Sequence, residues 1–150
     1  MPRRPPLVVV AAIIERDGQI LIGQRRDGGR HARQWEFPGG KLEPGETPRK
    51  ALERELDEEL GIRARIGAEI TRYEYQYPGR PTIQLKFYRV REFQGELTNR
   101  VFRQIRWESP QRLPEYDFVA GDVDFVRQLA LRKPPGRHRA RKAGEEGSEL

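Results

Sequence analysis

Apolar positions recur along this chain with two periods, and the changes between them mark out the elements. Residues 7–15 are apolar and largely β-branched, as in a strand buried on both faces; Asp17-Gly18 supplies a hairpin turn, and residues 19–24 return as a second strand. Residues 25–34 form a polar loop with Gly28 and Gly29 at its tip, ending at Trp35 and Phe37. The spacing then becomes helical. Leu52, Leu56 and Leu60 make one stripe of a helix from Pro48 to Leu60, with Thr47 as N-cap, Pro48 at the first helical position, Gly61 as the stop and Ile62 as the apolar residue beyond. Residues 65–77 and 82–93 alternate as strands and are joined by Pro78-Gly79-Arg80-Pro81. Residues 103–108 read as a further short strand. Residues 122–132 read as a second helix with Val123, Val126, Leu129 and Ala130 inward. Strands with interleaved helices give an α/β class, and no internal repeat is present.

The chain of 150 residues is long enough for one real core and too short for two. Residues 1–6 read as a basic arm and residues 7–132 as one domain; from residue 133 the composition turns to Pro, Gly, Arg and Glu, the makeup of a disordered tail. Hydrophobic and charged residues each make up 35%, and no apolar run is long enough for a membrane helix. The basic start precedes only a short apolar run with no small-residue cleavage site behind it, so a cytoplasmic location is the default expectation. With no cysteine, disulfides, thiolate nucleophiles and zinc–thiolate sites are excluded. The net charge of +6 suggests nucleic acid, but Arg3 and Arg4 supply +2 and residues 132–150 a further +3, which leaves the body close to neutral. No stable nucleic-acid partner is expected.

The helix over residues 48–60 carries the chemistry. At about 100° per residue, Glu55, Glu58 and Glu59 crowd onto one arc beside the buried stripe, where like charges repel by a few tenths of a kcal/mol per pair. A solvated acidic face would account for such a cluster taken alone. The loop in front points elsewhere: Phe37-Pro38-Gly39-Gly40-Lys41 offers backbone that a ligand can approach closely, plus a cation for phosphate. Clustered hard oxygen ligands suit Mg2+ or Mn2+, ions that commonly arrive with a polyphosphate.

Gly40, Glu46, Arg54, Glu55, Leu56, Glu58, Glu59, Gly61 and Ile62 are spaced as G-x5-E-x7-R-E-L-x-E-E-x-G-I. This pattern resembles the signature of the Nudix hydrolases at every fixed position. The resemblance implies an α/β/α sandwich around a mixed sheet and a Mg2+-dependent hydrolase of nucleoside diphosphate derivatives. It implies Glu55, Glu58 and Glu59 as metal ligands together with the backbone carbonyl of Gly39, Arg54 as the residue that holds the carboxylates, and Glu46 as a brace between loop and helix. The flanking runs Gln24-Arg25-Arg26, Trp35 to Lys41, Glu74-Tyr75-Gln76-Tyr77-Pro78 and Tyr116 to Asp122 look closest to the MutT-type branch. For that branch the expected reaction is attack of water on the β-phosphorus of a nucleoside triphosphate, releasing a monophosphate and pyrophosphate. Such catalysis is mostly positioning and charge neutralisation, and it needs no covalent nucleophile.

The same resemblance places Arg26, Phe37 and Asp122 at the purine and His31 at substrate phosphate, with Gly39, Gly40 and Lys41 lining the phosphate path. Each has a plainer reading beside it: Arg26 as a surface charge, Phe37 as core, Asp122 as N-cap of the last helix. One departure stands out. MutT-like relatives often carry a further Glu where this chain has Val101, which leaves Glu96 and Glu108 as the acids that could substitute. The alternatives are another Nudix substrate, such as a dinucleoside polyphosphate or ADP-ribose, or a non-catalytic nucleotide- or nucleic-acid-binding regulator. Monomer and homodimer both remain open.

Overall fold

The structure, a computed structural model, describes residues 5–132. Its central strand is β1 (Leu7–Arg16). Val10, Ala12 and Ile14 on one face and Ala11 and Ile13 on the other are all buried, so β1 has layers on both sides. The mixed strand β7 (Ile83–Val90) pairs parallel with β1 from Leu7 to Ile14, and β6 (Glu69–Tyr75) lies antiparallel beyond it. The other edge of β1 is divided between two strands. Val9, Val10 and Ala11 pair with β4 (Gly39–Lys41), while Glu15 and Arg16 pair with β2 (Gln19–Gln24) across a hairpin whose Asp17 and Gly18 both have positive φ. Beyond the hairpin β2 leaves β1 and pairs with β3 (Trp35–Glu36) and β9 (Gln104–Glu108). The sheet therefore forks, and Phe37 and Pro38 carry the chain from one arm to the other.

The two faces of β1 receive one helix each. α1 (Pro48–Leu60) packs Ala51, Leu52, Leu56 and Leu60 against the Val10, Ala12 and Ile14 side. α2 (Ala120–Ala130) packs Phe125, Val126 and Leu129 against the Ala11 and Ile13 side, with the rings of Phe125 and Phe87 4.3 Å apart. Each of these Leu, Val and Phe side chains contributes about 1.5–3 kcal/mol relative to exposure. The result is the expected α/β/α sandwich. No helix among the described residues is long and apolar enough to cross a membrane.

The first helix matches its sequence reading at both ends: the Thr47 hydroxyl accepts from the Lys50 N–H, and Gly61 closes the helix at φ 69°. Elsewhere the boundaries differ. The run over 65–77 is two strands, β5 (Arg63–Arg65) and β6, because Gly67 and Ala68 turn aside to bond Arg89, with a register shift at the start of β6. The run over 82–93 breaks correspondingly at Arg91, and β8 (Glu92–Gln94) pairs with β5 in a separate ribbon. The second helix begins at Ala120 and ends at Ala130, and it has Val119 rather than Asp122 at its N-cap position. Asp122 sits inside the first turn and makes no side-chain cap, which overturns the capping reading. Phe125, absent from the expected inward set, is a buried anchor, while Val123 and Ala130 are half-buried. The expected disordered tail and the first four residues of the basic arm lie outside the described residues.

Candidate active site

Arg54 organises the loop–helix junction. Its Nε and Nη2 grip both carboxylate oxygens of Glu46 at 2.7 and 2.9 Å, Nη2 also donates to the Lys41 carbonyl, and Nη1 reaches Glu55 and Glu58 at 3.3 Å each. Glu46 in turn accepts from the Glu43 N–H, and these bonds hold its carboxyl well below the usual range. One guanidinium thus ties the Gly-Gly-Lys strand to the acidic face of α1. The Gly39 N–H donates to Glu59 at 3.2 Å. Gly39 also has φ 152°, and a Cβ there would lie 2.0 Å from the Val10 carbonyl oxygen, so only glycine lets β4 run this close to β1.

A cavity of about 410 Å3 opens where the sheet forks. Gly39, Gly40, Lys41 and Glu59 line it, as do Phe37, Tyr77, Val119 and Asp122. Phe37 is core, as its plainer reading has it, with its ring buried against Phe118, Phe87 and Phe125, and it also lines the cavity. His31 lines the cavity with φ 61° and its ring 4.9 Å from that of Tyr77, while burial, with Arg30 and Arg25 nearby, lowers its pKa. The Tyr77 hydroxyl accepts from the Gly121 N–H at 2.8 Å, and the Tyr73 hydroxyl donates to the Gly121 carbonyl at 2.6 Å. Together they fix the start of α2, and with it Asp122.

Burial dominates the electrostatics. Asp122 is only 6% exposed, and its carboxyl is pushed up to about 8, by burial first and then by Glu36. Burial also raises Glu36, against the opposing pull of Arg25, whose Nη1 lies 3.1 and 3.2 Å from the two Glu36 oxygens. Glu59 is raised well above its usual value by burial, then by Glu55 and Glu36. Glu55 is raised as well, by burial, and shares a hydrogen bond with Glu59. Two half-buried carboxyls held together in this way favour the protonated form, which a bound dication would oppose.

The donor set suits a hard divalent ion. Glu55 lies over Gly40, where a Cβ would fall 2.3 Å from its Oε2, so the bare glycine leaves the carboxylate its place. Glu58 stands apart, exposed and drawn to Arg54. Among the described residues no three acidic or histidine side chains converge to enclose an ion. Glu55 and Glu59 are the pair the fold brings together.

Arg26 is not in this cavity. It lines a second one of about 300 Å3, together with Arg25, Arg30, Glu36, Glu59 and Val101, and its Nε donates to the Val101 carbonyl at 2.8 Å. Val101 arrives there because Thr98 and Arg100 bond the last carbonyls of α1. Neither candidate for the missing acid takes its place. Glu108 is committed to Tyr116 and Ser109, and Glu96 is exposed and lines neither cavity. Sequence reasoning missed Glu36, Arg25, Arg30 and Tyr77 as site residues. Only the two-residue period of β3, with Trp35 buried and Glu36 turned the other way beside Phe37, held a hint of the first.

Comparison with known proteins finds relatives along most of this chain. The CTP pyrophosphohydrolase of Escherichia coli (strain K12) is 42% identical over 125 residues, 83% of this chain and 92% of that protein. The 8-oxo-dGTP diphosphatase of Haemophilus influenzae is 39% identical over 123 residues, 81% of this chain and 89% of its own length. Among solved structures, the MutT NUDIX hydrolase from Burkholderia pseudomallei superposes with a TM-score of 0.71 at 28% identity, covering 83% of this chain and 98% of that one. The NUDIX domain model matches residues 4–129. With the Gly-rich strand tied by Arg54 to the acidic helix, and with these matches, the chain belongs to the NUDIX family as a MutT-like nucleotide pyrophosphohydrolase.

Proposed function

We propose that this enzyme is a divalent-metal-dependent nucleoside triphosphate pyrophosphohydrolase whose substrate's base enters the first cavity beside Asp122 while the phosphates reach Glu59 and Lys41. The carrying observation is the cavity itself, whose lining joins Phe37, Tyr77 and Asp122, side chains suited to a base, with Gly39, Gly40, Lys41 and Glu59, groups suited to phosphates. Near neutral pH a carboxyl raised to about 8 is mostly protonated, so Asp122 both donates and accepts. It thereby matches an edge with adjacent donor and acceptor, such as the N4 amine and N3 of cytosine or N7–H and O6 of 8-oxoguanine. The relatives named for CTP and for 8-oxo-dGTP fit that edge chemistry.

Water adds to the β-phosphorus as the bond from that phosphorus to the α–β bridging oxygen breaks. The monophosphate leaves with the bridging oxygen, and pyrophosphate carries away the oxygen of water. Glu59 stands at the wall of the cavity to orient that water and accept its proton, Lys41 supplies positive charge for the phosphates, and Arg54 keeps Glu55 and Glu58 in place. Glu55 and Glu59, with Glu58 and Gly39 completing the set implied by the family pattern, would hold Mg2+ or Mn2+, which would supply charge neutralisation and activation of water.

A substrate panel with Mg2+ tests the reading: CTP, dGTP, 8-oxo-dGTP, a diadenosine polyphosphate and ADP-ribose, with products separated by chromatography. The expected result is the highest kcat/KM for a nucleoside triphosphate, with monophosphate and pyrophosphate in equal amounts. A clear preference for ADP-ribose or the dinucleoside compound would overturn it.

A further inference from the structure

A group of cations stands well away from both cavities. Glu15, next to the last residue of β1, has only 17% of its side chain exposed, and three arginines converge on it. Arg89 donates to it at 3.0 Å, whereas Arg91 and Arg132 stand off at 3.6 and 4.0 Å, too far for a hydrogen bond. Among the described residues no other carboxylate pairs with these three, so one negative charge faces three positive ones. Arg16 adds a fourth at the same end of β1, held over the rings of Phe93 and Trp107 at 4.9 and 5.2 Å. Counting Asp17 of the adjoining hairpin still leaves the group cationic. At about 3.3 Å per residue, Glu15 lies about 13 Å along β1 from Ala11, where the cavity lining ends on that strand, and none of the four arginines lines either cavity.

The chain continues outward from this cluster. The Arg132 carbonyl accepts from Gln111 at 2.7 Å, and the ten positions that follow carry Lys133, Arg137, Arg139, Arg141 and Lys142 with no acid. Basic sequence therefore leaves the domain where its surface is already short of negative charge. Guanidiniums with unspent forks match phosphate oxygens in a bidentate way, and a run of them matches a run of phosphates. A lipid surface is a poorer match, because Leu131 is the one large apolar residue exposed beside the cluster among the described residues.

We propose that this end of the domain, with Arg16, Arg91 and Arg132 extended by residues 133–142, is a docking surface for single-stranded nucleic acid. It holds the strand by its phosphates, independently of the bases, and leaves the nucleotide cavity free. This departs from the expectation of no stable nucleic-acid partner, which rested on the summed charge of the body. The acids that balance that sum are gathered on α1 and the loop before it, not around Glu15.

Fluorescence anisotropy with a labelled oligouridylate tests it, on the full chain, at salt from about 50 to about 200 mM. The proteins are the parent, a surface variant with Arg91→Gln and Arg132→Gln, a tail variant with Arg137→Gln, Arg139→Gln and Arg141→Gln, and Lys41→Gln as a control in the nucleotide cavity. The surface variant leaves Arg89 on Glu15, so its thermal melt should match the parent's. The parent should bind, and its Kd should rise steeply with salt. The surface variant should lose about tenfold in affinity at the lowest salt, and its salt slope should shrink by about 1.4, at about 0.7 for each phosphate contact removed. The tail variant should weaken in the same direction, and Lys41→Gln should bind as the parent does. Nucleoside triphosphate kcat/KM should stay within about twofold in the surface and tail variants. No binding by the parent at the lowest salt, or parental affinity in the surface variant, would overturn the site. Loss of binding in Lys41→Gln would do the same by putting the strand in the nucleotide cavity, as would tighter binding to phosphatidylserine vesicles than to the oligonucleotide.

Discussion

At the scale of single residues, Asp122 shows how burial converts a common side chain into a specialised one. Its carboxyl titrates near 3.8 when unfolded and at about 8 in the folded protein. The folded state therefore binds the extra proton between those values, and stability falls as pH rises from about 4 to about 8, with no further loss above. Asp122→Asn keeps the shape and removes the titration. The melting temperature of the variant relative to the parent should climb by several degrees between pH 5 and pH 8, a change of about 1–3 kcal/mol; melts at three pH values would show it, and a constant difference would refute the burial argument. Asp122 was legible as a candidate, although its environment was not. As the first residue of the expected 122–132 helix it looked like a helix start, whereas the helix begins at Ala120, with Gly121 bonded to two tyrosines, and places it inside the first turn. Glu36 was legible only as a residue turned away from the buried Trp35. Nothing local distinguishes a glutamate between two aromatic residues from a surface acid, and only the fork in the sheet turns it toward Arg25 and Glu59.

Among the elements, α1 and the loop before it could be read almost completely, because their chemistry is local. Cap, proline, apolar stripe and glycine stop all act within a few residues, and Arg54 reaches Glu46 from the next turns of the same segment. The short strands could not. β3 and β4 have two and three residues, too few for a period to show, and the break at Gly67 depends on Arg89, twenty-odd positions away. The close fit between β4 and α1 gives a direct test. Gly40→Ala needs no unusual backbone angle, but its methyl would sit 2.3 Å from the Glu55 carboxylate and must push it aside. Because the displaced group is the end of a flexible side chain, the melting temperature should change by no more than a few degrees, while kcat/KM should fall about tenfold or more and the Mg2+ concentration needed for half-maximal rate should rise. A variant with parental Mg2+ dependence would separate Glu55 from metal binding.

For the molecule as a whole, the site exists because β1 shares one edge between two strands. β4 stays with β1, β2 departs with β3 and β9, and the gap is closed from outside by the loop over residues 25–34, the turn after β6 and the start of α2. Tyr77 joins these outer pieces: its ring lies against His31 and Tyr75, and its hydroxyl takes the Gly121 N–H, one of the first amides of α2, which have no partner within the helix. Gly121 is suited to this bond by its lack of a side chain, since a Cβ would stand 2.9 Å from the tyrosine oxygen. Tyr77→Phe preserves the ring and deletes the acceptor. Leaving that amide unpaired should cost about 1 kcal/mol or somewhat more, seen as a lower denaturation midpoint. The same loss loosens α2 where it presents Asp122, so KM for the best nucleoside triphosphate should rise several-fold while kcat changes little, because the carboxylates of α1 are untouched. A ring that acted only by stacking would leave both the midpoint and KM at parental values in this variant, and the tie between Tyr77 and α2 would then have no part in recognising the base.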